Sequence, residues 1–141
     1  MIESYYQAVH AIITTGHLIT DKVNTKLKEV ASTEPQFNVL MILHMQKRAM
    51  SIQEIQEQMV QRSSNVSRLV DKLLAKGYVS RKENHENRRK VDIVLTATGS
   101  KHLQELNRYV AEVHEPQFNN LSERELSNLV KLIQKLKGDT L

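Results

Sequence analysis

Two stretches of this chain carry side chains suited to a polyanionic partner. The first, "RSSNVSRLVDKLLAKG" over residues 62–77, places Arg62, Ser63, Ser64, Asn65, Ser67, Arg68 and Lys72 before and along a helical pattern. Val66, Leu69, Val70, Leu73 and Leu74 share one arc of that helix, at about 100° per residue, and the polar residues take the rest. Small hydroxyl and amide side chains at a helix start can address base edges, and the free N–H groups there attract phosphate. The second stretch, "NHENRRK" over residues 84–90, lies between the short β-like runs "GYVSRKE" and "VDIVLT". A tight hairpin needs only a Gly-bearing pair of residues. This tip is longer, lacks Gly, and sets His85, Arg88, Arg89 and Lys90 at the end of an arm. Such an arm fits a narrow, negatively charged minor groove. A wetted helix face and a solubilising hairpin tip are the plain alternatives for the same residues.

The charge distribution favours the polyanion. Between Arg62 and Lys90 there are nine Lys or Arg against Asp71, Glu83 and Glu86, a local balance of +6 within a chain of net charge +4. The remainder is therefore acidic, at −2. Catalytic patterns are missing: the sequence has no Cys, no Gly-rich phosphate loop and no Gly-x-Ser-x-Gly. Ser51, at the start of "SIQE", can cap a helix or hold a phosphate there.

The elements that must position these residues are mostly helical. At 141 residues with 4 Gly and 2 Pro, the chain suits one domain with long elements. Apolar positions Tyr6, Val9, Ile13, Ile19, Val23, Leu27 and Val30 recur in steps of mostly three or four, which predicts an amphipathic helix over about 5–30. Thr33, with Gln36 three residues on and Pro35 in the first turn, starts a buried helix through Phe37, Leu40, Met41 and Leu43. Ser51 and Glu54 open a short helix. Ser63 or Ser64 can cap the polar-faced one, and Gly77 closes it. Thr96 begins a helix that Pro116 should end or kink near Glu115. Ser122 and Glu125 begin the last, which Gly138 closes. The N-terminus lacks the basic and apolar regions of a signal peptide, and the longest apolar run, Val39 to Leu43, is far too short for a membrane span. A soluble, cytoplasmic protein without membrane contact is expected.

A short helix, a tight turn and an amphipathic helix followed by a hairpin make a winged helix-turn-helix. The motifs "EPQFNVLMIL", "VSRLVDKLLAKGYVSR" and "NRRKVDIVLTATG" resemble the multiple-antibiotic-resistance regulator (MarR) family of bacterial transcription regulators. The resemblance implies a mainly α fold with a small two-stranded β-wing. It further implies a single domain over 1–141, with the winged helix-turn-helix at about 33–96 and dimerisation helices at about 1–31 and 97–141. As a function it implies a homodimeric repressor on a pseudo-palindromic, double-stranded DNA operator. Small aromatic or phenolic effectors often release such regulators, and Ile13, His17, Phe37, Met41 and Leu106 are the lining the resemblance suggests here.

This chain departs from the family at the wing. It has Asn84-His85 where Asp-Pro is frequent, and Asn87 where an Asp usually holds the wing Arg, here Arg89. A neutral acceptor gives roughly half the strength of a charged one. Two other readings compete. One is a winged-helix module that binds protein and not DNA, against which the +6 segment speaks. The other is a metal-responsive repressor using His10, His17, His102 or His114. No His-x-x-x-His or Glu-x-x-His pair supplies a ready metal-ligand spacing, so no cofactor and no metal are expected.

Overall fold

Among the described residues, five of the six helices start at a side chain that accepts the backbone N–H three residues ahead, which satisfies one of the donors that a helix start leaves free. The computed structural model describes residues 1–138. Its helices are α1 (Ile2–Lys28), α2 (Glu34–Gln46), α3 (Ile52–Gln58), α4 (Val66–Ala75), α5 (Ala97–Phe118) and α6 (Glu123–Lys137). The strands are β1 (Met50–Ser51), β2 (Val79–Glu83) and β3 (Val91–Leu95). The last three residues of the expected dimerisation segment lie outside the described residues.

The sheet corrects the two-stranded expectation. It is antiparallel with three strands in the order β1-β3-β2, and Met50 pairs with Ile93 on the far side of β3 from β2. A strand of two residues has no periodicity of its own. Only its distant partner defines it.

Helix α2 lies at the centre, with Val39, Leu40, Ile42 and Leu43 buried. Leu27 of α1, Ile55 of α3, Val70 of α4, Ile93 of β3 and Leu103 and Leu106 of α5 complete one core around it. Burial of each such side chain contributes about 1.5–3 kcal/mol, which outweighs any single cap. Helix α1 is only half used. Val23 and Leu27 are buried, whereas Ile2, Tyr5, Tyr6, Val9, Ile12 and Ile13 are exposed. Helix α6 has no buried residue at all, and Leu129, Val130, Leu132 and Leu136 face solvent. Its reciprocal Ser122–Glu125 capping box and the left-handed Gly138 (φ 84°) define its ends.

Helix α5 does not stop before Pro116. It runs to Phe118, and the N–H of Asn119 bonds the Glu115 carbonyl at 2.9 Å, so the ladder resumes past the missing donor. Proline sits in the final turn, where its cost is confined to one bond.

Two histidines of α5 give stability a pH dependence. Burial holds the imidazoles of His102 and His114 below their ordinary 6.5. The unfolded chain then takes up protons first as pH falls through that value, so acid favours unfolding. The half-buried Glu34 carboxyl is pushed above 4.5, again by burial, and acts with the opposite sign only as pH falls towards that range. Thermal unfolding should therefore shift to lower temperature between pH about 7.5 and about 5.5. His114→Gln should flatten that slope, and an unchanged slope would contradict the assignment.

Candidate nucleic-acid interface

Asn65, not Ser63 or Ser64, caps the polar-faced helix. Its Oδ1 accepts the Arg68 N–H at 3.1 Å, and α4 begins at Val66. The core decides this start, because Val66 is 1% exposed and pins the first turn against the protein. Ser63 and Ser64 thus belong to the approach loop. In that loop the N–H of Ser64 bonds the Gln61 carbonyl, and the Gln56 amide donates to the Arg62 carbonyl at 3.0 Å.

With Val66, Val70 and Leu73 turned inward, Ser67, Arg68 and Lys72 are exposed, as are Arg62, Ser63 and Asn65. Ser64 is half-buried. Ser64, Asn65, Arg68 and Lys72 line a shallow concavity of about 240 Å³ together with Leu69 and Pro35. Pro35 comes from the start of α2, and no local pattern could have placed it there. Ser51 is half-buried, and its hydroxyl accepts the Glu54 N–H at 3.1 Å. Arg48 takes the Glu54 carboxylate at 2.6 Å and, with a smaller contribution from Ser51, holds it below the usual carboxylate range.

The wing tip is built around Asn84, one of the departures from the family pattern. Asn84 accepts the N–H groups of Glu86 and Asn87 at 2.9 and 3.1 Å, and its amide donates to Asp92 across the hairpin at 3.2 Å. Asn84 thus ties the tip to the paired strands. Asn87 accepts the backbone N–H of Arg89 at 3.1 Å, so it shapes the turn and is bonded to the main chain of Arg89. His85, Arg88, Arg89 and Lys90 are all exposed. Among the described residues, no ion pair engages Arg62, Arg68, Lys72, Arg88, Arg89 or Lys90. The basic side chains of this face that are paired elsewhere are few; Arg81 reaches Asp71 at 3.6 Å, linking β2 to α4.

The five residues expected to line an effector pocket differ in burial. Leu106 is 1% exposed in the core, Ile13 and His17 point to solvent, and Met41 packs against the core. Phe37 borders a cavity of about 240 Å³ whose other walls include Ile19, Val23, Glu34, Val60 and His114. The α1 stripe enters the core one to two turns later than expected, at Ile19 and Val23. Nδ1 of His114 is buried there without a hydrogen-bond partner among the described residues.

Residues 32–91, the helix-turn-helix and most of the wing, match the model of the MarR family. This core is therefore similar to the MarR family. Solved structures share the fold well beyond the core. The transcriptional regulator BldR from Sulfolobus solfataricus is 20% identical with a TM-score of 0.83, over 99% of this chain and 98% of its own. A mutant of E. coli MarR complexed with operator DNA is 22% identical with a TM-score of 0.76, over 96% and 97%. CouR from Rhodococcus jostii RHA1, bound to p-coumaroyl-CoA, is 20% identical with a TM-score of 0.80, over 93% and 92%. No curated protein matches. At these identities the shared property is the fold, and it includes α1, α5 and α6. No described helix is long and apolar enough to cross a membrane.

Proposed function

We propose that this protein is a MarR-family transcription regulator: a homodimeric, ligand-responsive repressor that acts in the cytoplasm on a pseudo-palindromic operator. The observation that carries DNA contact is the exposed, unpaired set Arg68, Lys72, Arg88, Arg89 and Lys90 on α4 and the wing tip. Each protomer sets the start of α4 in a major groove, where Asn65, Ser67 and Arg68 address base edges. The wing brings Arg89 into the flanking minor groove, with Arg88 and Lys90 on phosphates. Arg62, Ser63, Ser64, Ser51 and His85 contribute backbone contacts around these two anchors. The operator complex of the related E. coli MarR mutant supports the same use of the fold.

Dimerisation follows from what the chain leaves uncovered. The apolar residues of α6 and of the first half of α1 are exposed, and an isologous pairing buries each of them twice. It also supplies the two-fold axis that a pseudo-palindrome requires. Light scattering at micromolar concentration should give twice the chain mass of 16.3 kDa, and a monomer would contradict this reading.

The cavity beside Phe37 supports the effector. Its walls are apolar except for Thr20, whose hydroxyl is bonded to the Gly16 carbonyl, Glu34, whose carboxyl burial favours the protonated form, and His114, whose Nδ1 lacks a partner among the described residues. Such a lining suits a small aromatic molecule that carries one or two hydrogen-bonding groups. Of the p-coumaroyl-CoA bound in the related CouR structure, the p-coumaroyl end is a phenol of this chemical class.

A further inference from the structure

The end of α4 is bolted to the start of α5 at a junction well away from the DNA-facing residues. Gly77 closes α4 in the left-handed conformation (φ 75°), and Tyr78 follows it. Thr96, which caps α5, donates its hydroxyl to the Gly77 carbonyl at 2.6 Å and its N–H to the Tyr78 carbonyl at 3.1 Å. Gly99 lets α5 approach that same carbonyl so closely that a Cβ there would sit 1.9 Å from the oxygen. One turn further along α5, His102 lays its imidazole on the Tyr78 ring, with centroids 4.0 Å apart and planes 7° from parallel.

The hydrogen bonds and the Gly99 approach hold the backbone of Tyr78 at a point. The buried side chains Val66, Val70 and Leu73 seat α4 on the core, and this junction anchors its far end. The ring stack adds a second contact, displaced along α5, and two separated contacts fix a direction. The chain between these contacts, residues 79–95, is the wing, so recognition helix and wing share the constraint. Helix α5 packs along α1, whose exposed apolar half belongs to the dimer surface proposed above.

We propose that His102 and Tyr78 are positioning residues: their stack sets the angle of the recognition helix relative to α5, and thereby the half-site spacing that the dimer accepts. The assignment rests on the operator-binding reading. Neither residue touches DNA, so their effect appears in which operators are accepted and much less in contacts to any single base. Coplanar stacking is what the role requires; bulk alone fills the same space without fixing the orientation.

The test uses the full-length protein and a duplex enriched by it from random DNA. Affinity is measured on that duplex and on versions with one base pair added to or removed from the spacer. The parent should bind the altered spacers about tenfold or more weakly, the scale of loss from one badly fitted base pair. His102→Leu, which keeps apolar bulk without a ring, should narrow that discrimination severalfold. His102→Phe, which keeps a ring to stack on Tyr78, should restore it. His102→Leu with the parent's spacing preference would overturn the proposal, as would a His102→Phe variant no better than His102→Leu. A parent that enriches no duplex would instead overturn the operator-binding reading, and this proposal with it.

Discussion

Arg68→Ala should weaken operator binding by about 1–3 kcal/mol per half-site if its guanidinium holds a base in bidentate fashion. Arg68 is the longest donor-bearing side chain in the first turn of α4, exposed and unpaired among the described residues. Its backbone N–H is already used by the Asn65 cap, which fixes where the side chain emerges. In a dimer both half-sites lose the contact, so the total effect is about double when the sites act independently. Lys72 lies one turn further along the same face. Lys72→Ala should cost affinity evenly on all sequences and lower the salt slope by about one unit per subunit, as a phosphate contact does. Binding of selected and scrambled duplexes to the two variants separates these roles. An Arg68→Ala variant that is folded and binds the selected duplex like the parent would remove α4 from the interface.

The second large effect is on folding. Gly99→Ala should destabilise the protein by about 3 kcal/mol, at the upper end of overpacking costs. The new Cβ would lie 1.9 Å from the Tyr78 carbonyl oxygen and 2.7 Å from its carbon. Both are backbone atoms, and Thr96 holds that segment with two hydrogen bonds, so no side chain can swing aside. Glycine is required here for close approach. Chemical denaturation that finds less than about 1 kcal/mol of loss would mean the junction is softer than its geometry implies.

Most elements could be read from the sequence because each begins with its own local signal. Thr33, Ser51, Thr96 and Ser122 cap the helices they were expected to cap, and Gly77 adopts the left-handed conformation that closes α4. The start of α4 was less legible, since Ser63, Ser64 and Asn65 can all cap and only the burial of Val66 chooses among them. Strand β1 and the Pro35 wall of the α4 concavity depend on partners distant in sequence, so no window could contain them. The extent of the α1 packing was illegible for a related reason. Periodicity identifies the apolar face of α1 but not where along its length the protein stops covering it. The wing tip was legible as a charged arm, while the bonds that shape it come from Asn84, whose role shows only once β2 and β3 are paired.

The central claim is that α4 and the wing form a DNA-binding surface, and counterion release tests it most directly. Six basic side chains per protomer are available there: Arg62, Arg68, Lys72, Arg88, Arg89 and Lys90. If half of them neutralise phosphates in each protomer of a dimer, the slope of log affinity against log salt should be about −5. Mobility shift of a duplex selected by the protein, repeated over a salt series, measures that slope. A steep negative slope, made shallower by Lys72→Ala, is the predicted result. A slope near zero, or no DNA bound even at low salt, would contradict the account.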